Sequence, residues 1–255
     1  MEGAVRHDEP EPAPPGTPPP EVVHRIHDRF LIEVVEQLGL CPFARRSREQ
    51  GRVHRPLFYS TPPATAPAPA LVADRIRQLV LAHPDAEIVL VTFVSPTPRP
   101  LWPSARAFDD FVRSVRQDYA RAGDPMFFMV GFHPQSGRVE PDESPPRLTP
   151  DSLVPQLRRT PDPVIQCIRA QELERARAQA QQARHARLVA EEKDPVVRNM
   201  LANTIMTDST LSADIARHNF EAVARGEGRA RLEAAIADIQ RERDEAYAPW
   251  WKRQR

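Results

Sequence analysis

Ile88-Val89-Leu90-Val91-Thr92-Phe93-Val94 is the stretch that decides the fold class. The run is apolar almost throughout and is bounded by Pro84 and Pro96. A short apolar run between turn residues reads as a buried strand of the kind found in sheets covered by helices. On its N-terminal side, Leu71 to Leu81 has helical spacing, preceded by a Pro/Ala-rich loop over 61–69 and a short strand over Val53 to Tyr59. On its C-terminal side, Phe108, Phe111, Val112, Val115 and Tyr119 share one face of a helix running from Pro103 to Ala122. Met126 to Phe132 is a further strand. Strand, helix, strand, helix, strand with short connections predicts an α/β fold: a small three-stranded β-α-β-α-β sheet with right-handed crossovers.

Helices flank that unit on both sides. Val22, Ile26, Phe30, Val34 and Leu38 repeat at helical spacing and predict a first helix from Glu21 to Leu38. Gly39 suits the left-handed residue past a helix end. Pro42 suits the first turn of a second, short helix through Gln50, which makes Cys41 its N-cap. After Pro134 comes a proline-punctuated loop over Ser136 to Pro163, with one helical turn around Ser152 to Arg158. A loop of that length in a compact domain is often functional. From Pro163 the pattern reads as helical almost to the end, with Asp162-Pro163 as cap and first turn and Cys167 as a core residue of that helix. Arg169 to Arg187 reads as a solvated helix, and Ile215, Phe220, Val223, Leu232, Ile236 and Ile239 supply apolar faces for closing helices. The expected organisation is a disordered Pro-rich leader over 1–20, one α/β domain over 21–240 with a helical C-terminal half, and a tail over 241–255. The Trp250-Trp251 pair in that tail reads either as a docked anchor or as a frayed end.

Composition narrows the function classes. The chain has 255 residues, 27% of them charged, with a formal net charge of zero. The charge balance argues against a nucleic-acid surface, which carries a basic excess. No apolar run approaches the roughly 20 residues of a membrane span, and the acidic, proline-rich start lacks a signal-peptide core. The expectation is a cytoplasmic protein. Two cysteines far apart do not make a disulfide framework. Phosphate-binding loops, dinucleotide glycine patterns, Cys-x-x-Cys and His-Glu-x-x-His are absent, and the sequence leaves the cofactor unknown, with metal and haem binding both open.

Two side chains that precede prolines stand out. Cys41, at the start of a helix with Arg45 one turn further on, has the setting that lowers a thiol pKa. His133 follows the strand ending at Phe132, and strand ends in α/β sheets often face the ligand crevice. The bland alternatives are a packed cysteine and a histidine that caps a strand end. Arg159 and Arg169 flank a loop–helix junction and suit an anion, or are simply solvated.

Gly39-Leu40-Cys41-Pro42-Phe43-Ala44 together with Phe132-His133-Pro134-Gln135 resembles the uncharacterised bacterial family known as domain of unknown function 1415. Arg159-Thr160-Pro161-Asp162-Pro163 is similar to that family's Arg-Ser-Pro-Tyr-Pro segment, and Arg169 and Arg217-His218-Asn219 are further echoes. The resemblance spans about 22–230. It implies a histidine where this chain has Gln166, and the leader and the stretch between Arg169 and Asp214 are longer here. No reaction comes with the family.

Three functional readings follow. The first is an enzyme with Cys41 as nucleophile or redox thiol and His133 as base or orienter, with Arg45, Gln135, Arg159 and Arg169 engaging a small anionic substrate. The second is a ligand- or metal-binding protein without turnover, in which Cys41, His133 and Asp142 hold a soft metal, although their spacing matches no standard zinc pattern. The third is an interaction protein using the leader and the Arg/Ala/Gln helix.

Overall fold

Ile88–Val94 is the central strand of the computed structural model, which describes residues 13–41, 43–60, 64–123, 125–137, 149–202, 219–221, 223 and 227–252. In chain order the elements are α1 (Pro20–Arg29), a π-helical segment (Phe30–Glu36), α2 (Ala44–Glu49), β1 (Val53–His54), β2 (Leu57–Tyr59), α3 (Pro69–Ala82) and β3 (Ile88–Val94). They continue with α4 (Ala105–Ala120), β4 (Phe127–Phe132), α5 (Pro150–Leu157), β5 (Val164–Arg169), α6 (Ala170–Glu191), α7 (Pro195–Ala202) and α8 (Gly228–Lys252). No helix among the described residues is long and apolar enough to cross a membrane.

Among the described residues the sheet has five strands and not the expected three. Its order is β1-β3-β5-β4, and β2 takes over beside β3 where β1 ends. β1 and β2 are the stretch expected over 53–59, interrupted at Arg55-Pro56. Pro56 has no N–H for the ladder, yet its carbonyl accepts from the Thr92 amide at 3.0 Å. β5 is the main correction. The expected helix from Pro163 is instead a strand, antiparallel to both β3 and β4 and lying between them. β3 and β4 are therefore parallel to each other, joined through α4 across the gap that β5 fills. Cys167 is a core residue as expected, but of a strand, and Arg169 ends that strand instead of standing on a helix.

The pleat sorts side chains into two layers. Val89, Val91, Phe93, Ile165, Cys167, Phe127 and Met129 meet α3 and α4, where Ile76, Val80, Phe108, Val112 and Val115 complete the core. Gly131 allows the close approach of α4: a Cβ there would lie 2.7 Å from Asp109 Oδ1 and 3.2 Å from the Phe108 ring. The opposite face carries α1, the π-helical segment and α2. Here the expected single helix over 21–38 widens after Arg29, with Gln37 and Leu40 amides bonding the Ile32 and Val35 carbonyls at 3.0 and 2.8 Å. Phe30, Leu31 and Val34 are all buried as a result. Gly39, at φ 65°, ends the segment as expected.

α8 closes this second layer through Leu232, Ile236, Ile239 and Tyr247. It runs unbroken to Lys252, so 241–252 are part of the packed body and not a tail. Trp251 is docked, with its indole N–H 3.5 Å from the Ser95 carbonyl. Arg29 reinforces the contact by bonding Glu33, Asp238 and Glu242 together. Of the expected leader, residues 1–12 lie outside the described residues. Thr17 is buried with its hydroxyl on the Pro14 carbonyl at 2.6 Å, and Pro20 already belongs to α1.

Candidate functional site

The structure does not bring Cys41 and His133 together. Along β4, Phe127, Met129 and Gly131 face α4, while Phe132 faces the other layer. His133 continues the alternation and returns to the α4 side, where its ring lies 5.8 Å from that of Phe108. Its Nδ1 accepts from the Gln135 amide at 3.2 Å and its Nε2 is 3.2 Å from the Trp102 carbonyl. Both ring nitrogens thus hold the chain as it leaves the strand, in a fully buried position. Cys41 belongs to the opposite layer, between the π-helical segment and α2. It is half-buried, and the helix N-cap is Phe43 instead. Burial pushes its thiol pKa up, the amides of Phe43 and Ala44 oppose that shift, and Glu36 adds to it. The net result is a protonated thiol at neutral pH, where the sequence suggests a thiolate.

The arginines are also engaged. Arg159 donates to the Ser136 and Gly137 carbonyls at 3.0 and 2.8 Å and fastens the segment after β4. Arg169 donates to the Ala86 and Pro84 carbonyls at 2.7 and 2.8 Å and lies over the Phe127 ring. Arg45 is exposed, 3.7 Å from Glu36, and Gln135 is exposed. Among the described residues, Arg45, Arg159 and Arg169 line neither of the two best-formed pockets. Pro42, Asp142, Arg217 and His218 lie outside the described residues. Asn219 is buried, with its side-chain amide on the Leu40 carbonyl at 3.2 Å.

A cavity of about 50 Å³ lies instead between the sheet and the π-helical segment. At roughly 10–15 Å³ for each water centre, that holds several waters or one small ligand group. Phe30, Leu31, Leu90, Phe132 and Val164 give it an apolar body. Its polar wall is His27, Arg55, Thr92, Thr160 and Gln166. π-Helical turns occur often at functional sites, and this one supplies Phe30, Leu31 and Val35 to the lining.

His27 is fixed from behind by the fully buried Asp162, whose Oδ2 is 3.2 Å from His27 Nε2. The same oxygen accepts from the Tyr247 hydroxyl at 2.9 Å, and Oδ1 accepts from Arg243 Nε and Nη2 at 3.1 and 2.7 Å. Burial alone would raise the Asp162 pKa, but the Arg243 charge and the His27 bond overcome it and hold the carboxyl at about 2. Burial lowers the His27 pKa, with Asp162 opposing. The ring is therefore neutral at pH 7. Its Nε2–H donates to the carboxylate, which leaves Nδ1 as an acceptor. Arg55 is held by α1 at both ends: its carbonyl by His24 Nε2 at 3.1 Å and its guanidinium by Asp28. Burial pulls its pKa down to about 10.

Sequence reasoning missed this constellation because His27 and Asp162 stand 135 positions apart. One signal was present. His24 and His27 interrupt the apolar stripe of α1, and polar residues at core positions require partners. Comparison with family models, with curated proteins and with solved structures gives no match to this chain.

Proposed function

We propose that the protein binds a small organic acid of a few heavy atoms, whose anionic head is seated in the cavity of about 50 Å³ under β3 and β5. The observation that carries this reading is the placement of two buried, firmly held polar groups, His27 and Arg55, beside Thr92, Thr160 and Gln166 on the wall of one largely apolar cavity. Ligand sites are typically apolar hollows with a few fixed polar groups. Arg55 has guanidinium donors beyond the Nη1 that meets Asp28, and its loss of hydration on burial makes an anion a favourable partner. The family resemblance supports the same place, since Gln166, which stands where it implies a histidine, is on the cavity wall.

A second reading is favoured by the His27–Asp162 pair: general base catalysis on the bound molecule. A neutral imidazole oriented by a buried carboxylate is the arrangement such catalysis uses. Nucleophilic chemistry at Cys41 has less support, because the thiol is raised and His133 is not among the groups acting on it.

A thermal-shift screen of small organic acids against their uncharged isosteres tests binding. Acids should raise the unfolding temperature, Leu90→Trp should abolish the shift by filling the cavity, and Arg55→Lys should weaken the preference for acids. Shifts that survive Leu90→Trp would refute the assignment. Turnover of a hit that is lost in His27→Gln would favour the catalytic reading.

A further inference from the structure

His54, His83 and Asp85 converge on the other side of the sheet from the cavity. Val53 lines the cavity, so the next residue along β1, His54, faces the α3 and α4 layer. Its register partner Val89 belongs to that layer. His83 caps the C-terminus of α3, and Asp85 follows two residues later in the turn that leads to β3.

We propose that these three side chains form a binding site for a divalent transition-metal ion, independent of the cavity. One ligand atom from each lies within 4.8 Å of the others. Metal–ligand bonds of roughly 2.0–2.2 Å require closer spacing, which rotation of the half-buried His83 and exposed Asp85 can provide around the buried His54. The imidazole rings are already placed for this, with centroids 4.3 Å apart and planes 31° apart. Two imidazoles bound to one metal at about 2.1 Å have centroids about 4.5 Å apart at a right angle and about 5.2 Å apart at the tetrahedral angle. The observed spacing lies nearer the right-angle value, before the rotation that closes the ligand atoms onto an ion. Two nitrogens and one carboxylate with solvent on the remaining side make up the two-histidine, one-carboxylate pattern of a site with open positions. Imidazole ligands disfavour magnesium and calcium, which select oxygen.

The turn that carries two of the ligands is held rigidly. Arg169 bonds the carbonyls on either side of Asp85, from Pro84 at 2.8 Å and Ala86 at 2.7 Å. The Ala86 amide closes the turn onto the His83 carbonyl at 3.0 Å. Preorganised ligands of this kind lower the ordering cost of binding. Arg52 also feels the Asp85 charge, but its guanidinium is bonded to Glu87.

The test is titration of chelator-stripped full-length protein with Co²⁺, read by visible absorbance, and with Zn²⁺ against a chromophoric competitor. One equivalent should bind. His83→Gln and Asp85→Asn should each weaken binding at least about tenfold, as for residues that support a metal site, while their circular dichroism stays unchanged. Cys41→Ser should leave binding intact. Absence of saturable binding, binding unaltered in both ligand variants, or binding lost in Cys41→Ser would each overturn the assignment.

Discussion

Asp162→Asn tests the buried cluster that positions His27. The wild-type carboxylate accepts four contacts: His27 at 3.2 Å, Tyr247 at 2.9 Å, and Arg243 at 3.1 and 2.7 Å. An amide has one oxygen. If that oxygen faces Arg243, the new NH₂ meets the His27 N–H and the Tyr247 hydroxyl. If it is flipped, NH₂ meets the guanidinium. Arg243, buried at 3% exposure, would keep Asp244 at 2.8 Å on the surface side and the Pro98 carbonyl at 3.5 Å. Removing one member of a buried ion pair costs about 3–5 kcal/mol. Against a total stability of about 5–15 kcal/mol, this is a severe loss, equivalent to a Tm drop of roughly 6–20 °C. Tyr247→Phe, which removes one hydrogen bond to a charged group, should cost about 1.5–3 kcal/mol. Urea unfolding followed by circular dichroism and by the fluorescence of the three tryptophans, among them Trp251, whose ring lies 5.7 Å from that of Tyr247, measures both. A loss below about 1 kcal/mol for Asp162→Asn, the scale of a surface pair, would refute the cluster's structural role.

Acid should destabilise the fold in two stages. His27 and Asp162 both have folded pKa values below their unfolded ones, so the unfolded chain binds more protons as pH falls and stability falls with it. The His27 contribution is complete above about pH 6.5 and declines below it, and the Asp162 contribution declines from about pH 4 towards pH 2. Urea midpoints between pH 8 and pH 3 should trace this decline, and His27→Gln should flatten its upper part; a midpoint that rises on acidification would contradict it. Alkylation of Cys41 by iodoacetamide should show a midpoint above about pH 8.5, and a midpoint near neutrality would restore the thiolate reading. Gly131→Ala should cost about 1–3 kcal/mol by overpacking α4 against β4, measured by the same urea titration; a neutral effect would mean that the helix yields freely.

The sequence made some elements legible and hid others for physical reasons. β3 and α4 were readable because their patterns are long and of one period: Ile88 to Val94 buries both faces, and Phe108, Val112, Val115 and Tyr119 form one stripe. β5 was hidden because Val164 to Ile168 is a short apolar run, which periodicity cannot tell from a buried helix, and it joins α6 without a break. Its only local clue, Asp162-Pro163, suits the start of a helix as well as the start of a strand. At the site, His133 and Cys41 attracted notice because each precedes a proline, but that position also suits a side chain whose task is to fasten a chain exit, as His133 does through Gln135 and Trp102. The cavity is a product of tertiary contact. Its wall combines α1, β3, β5 and the segment before β5, whose residues share no sequence spacing.

The most direct measurement is a crystal structure of the protein bound to an acid identified by thermal shift. The ligand should lie between β3 and the π-helical segment, with its anionic head within hydrogen-bonding distance of Arg55 and its body against Leu90 and Phe132. A ligand seated anywhere else, with this cavity left to its own side chains, would contradict the account.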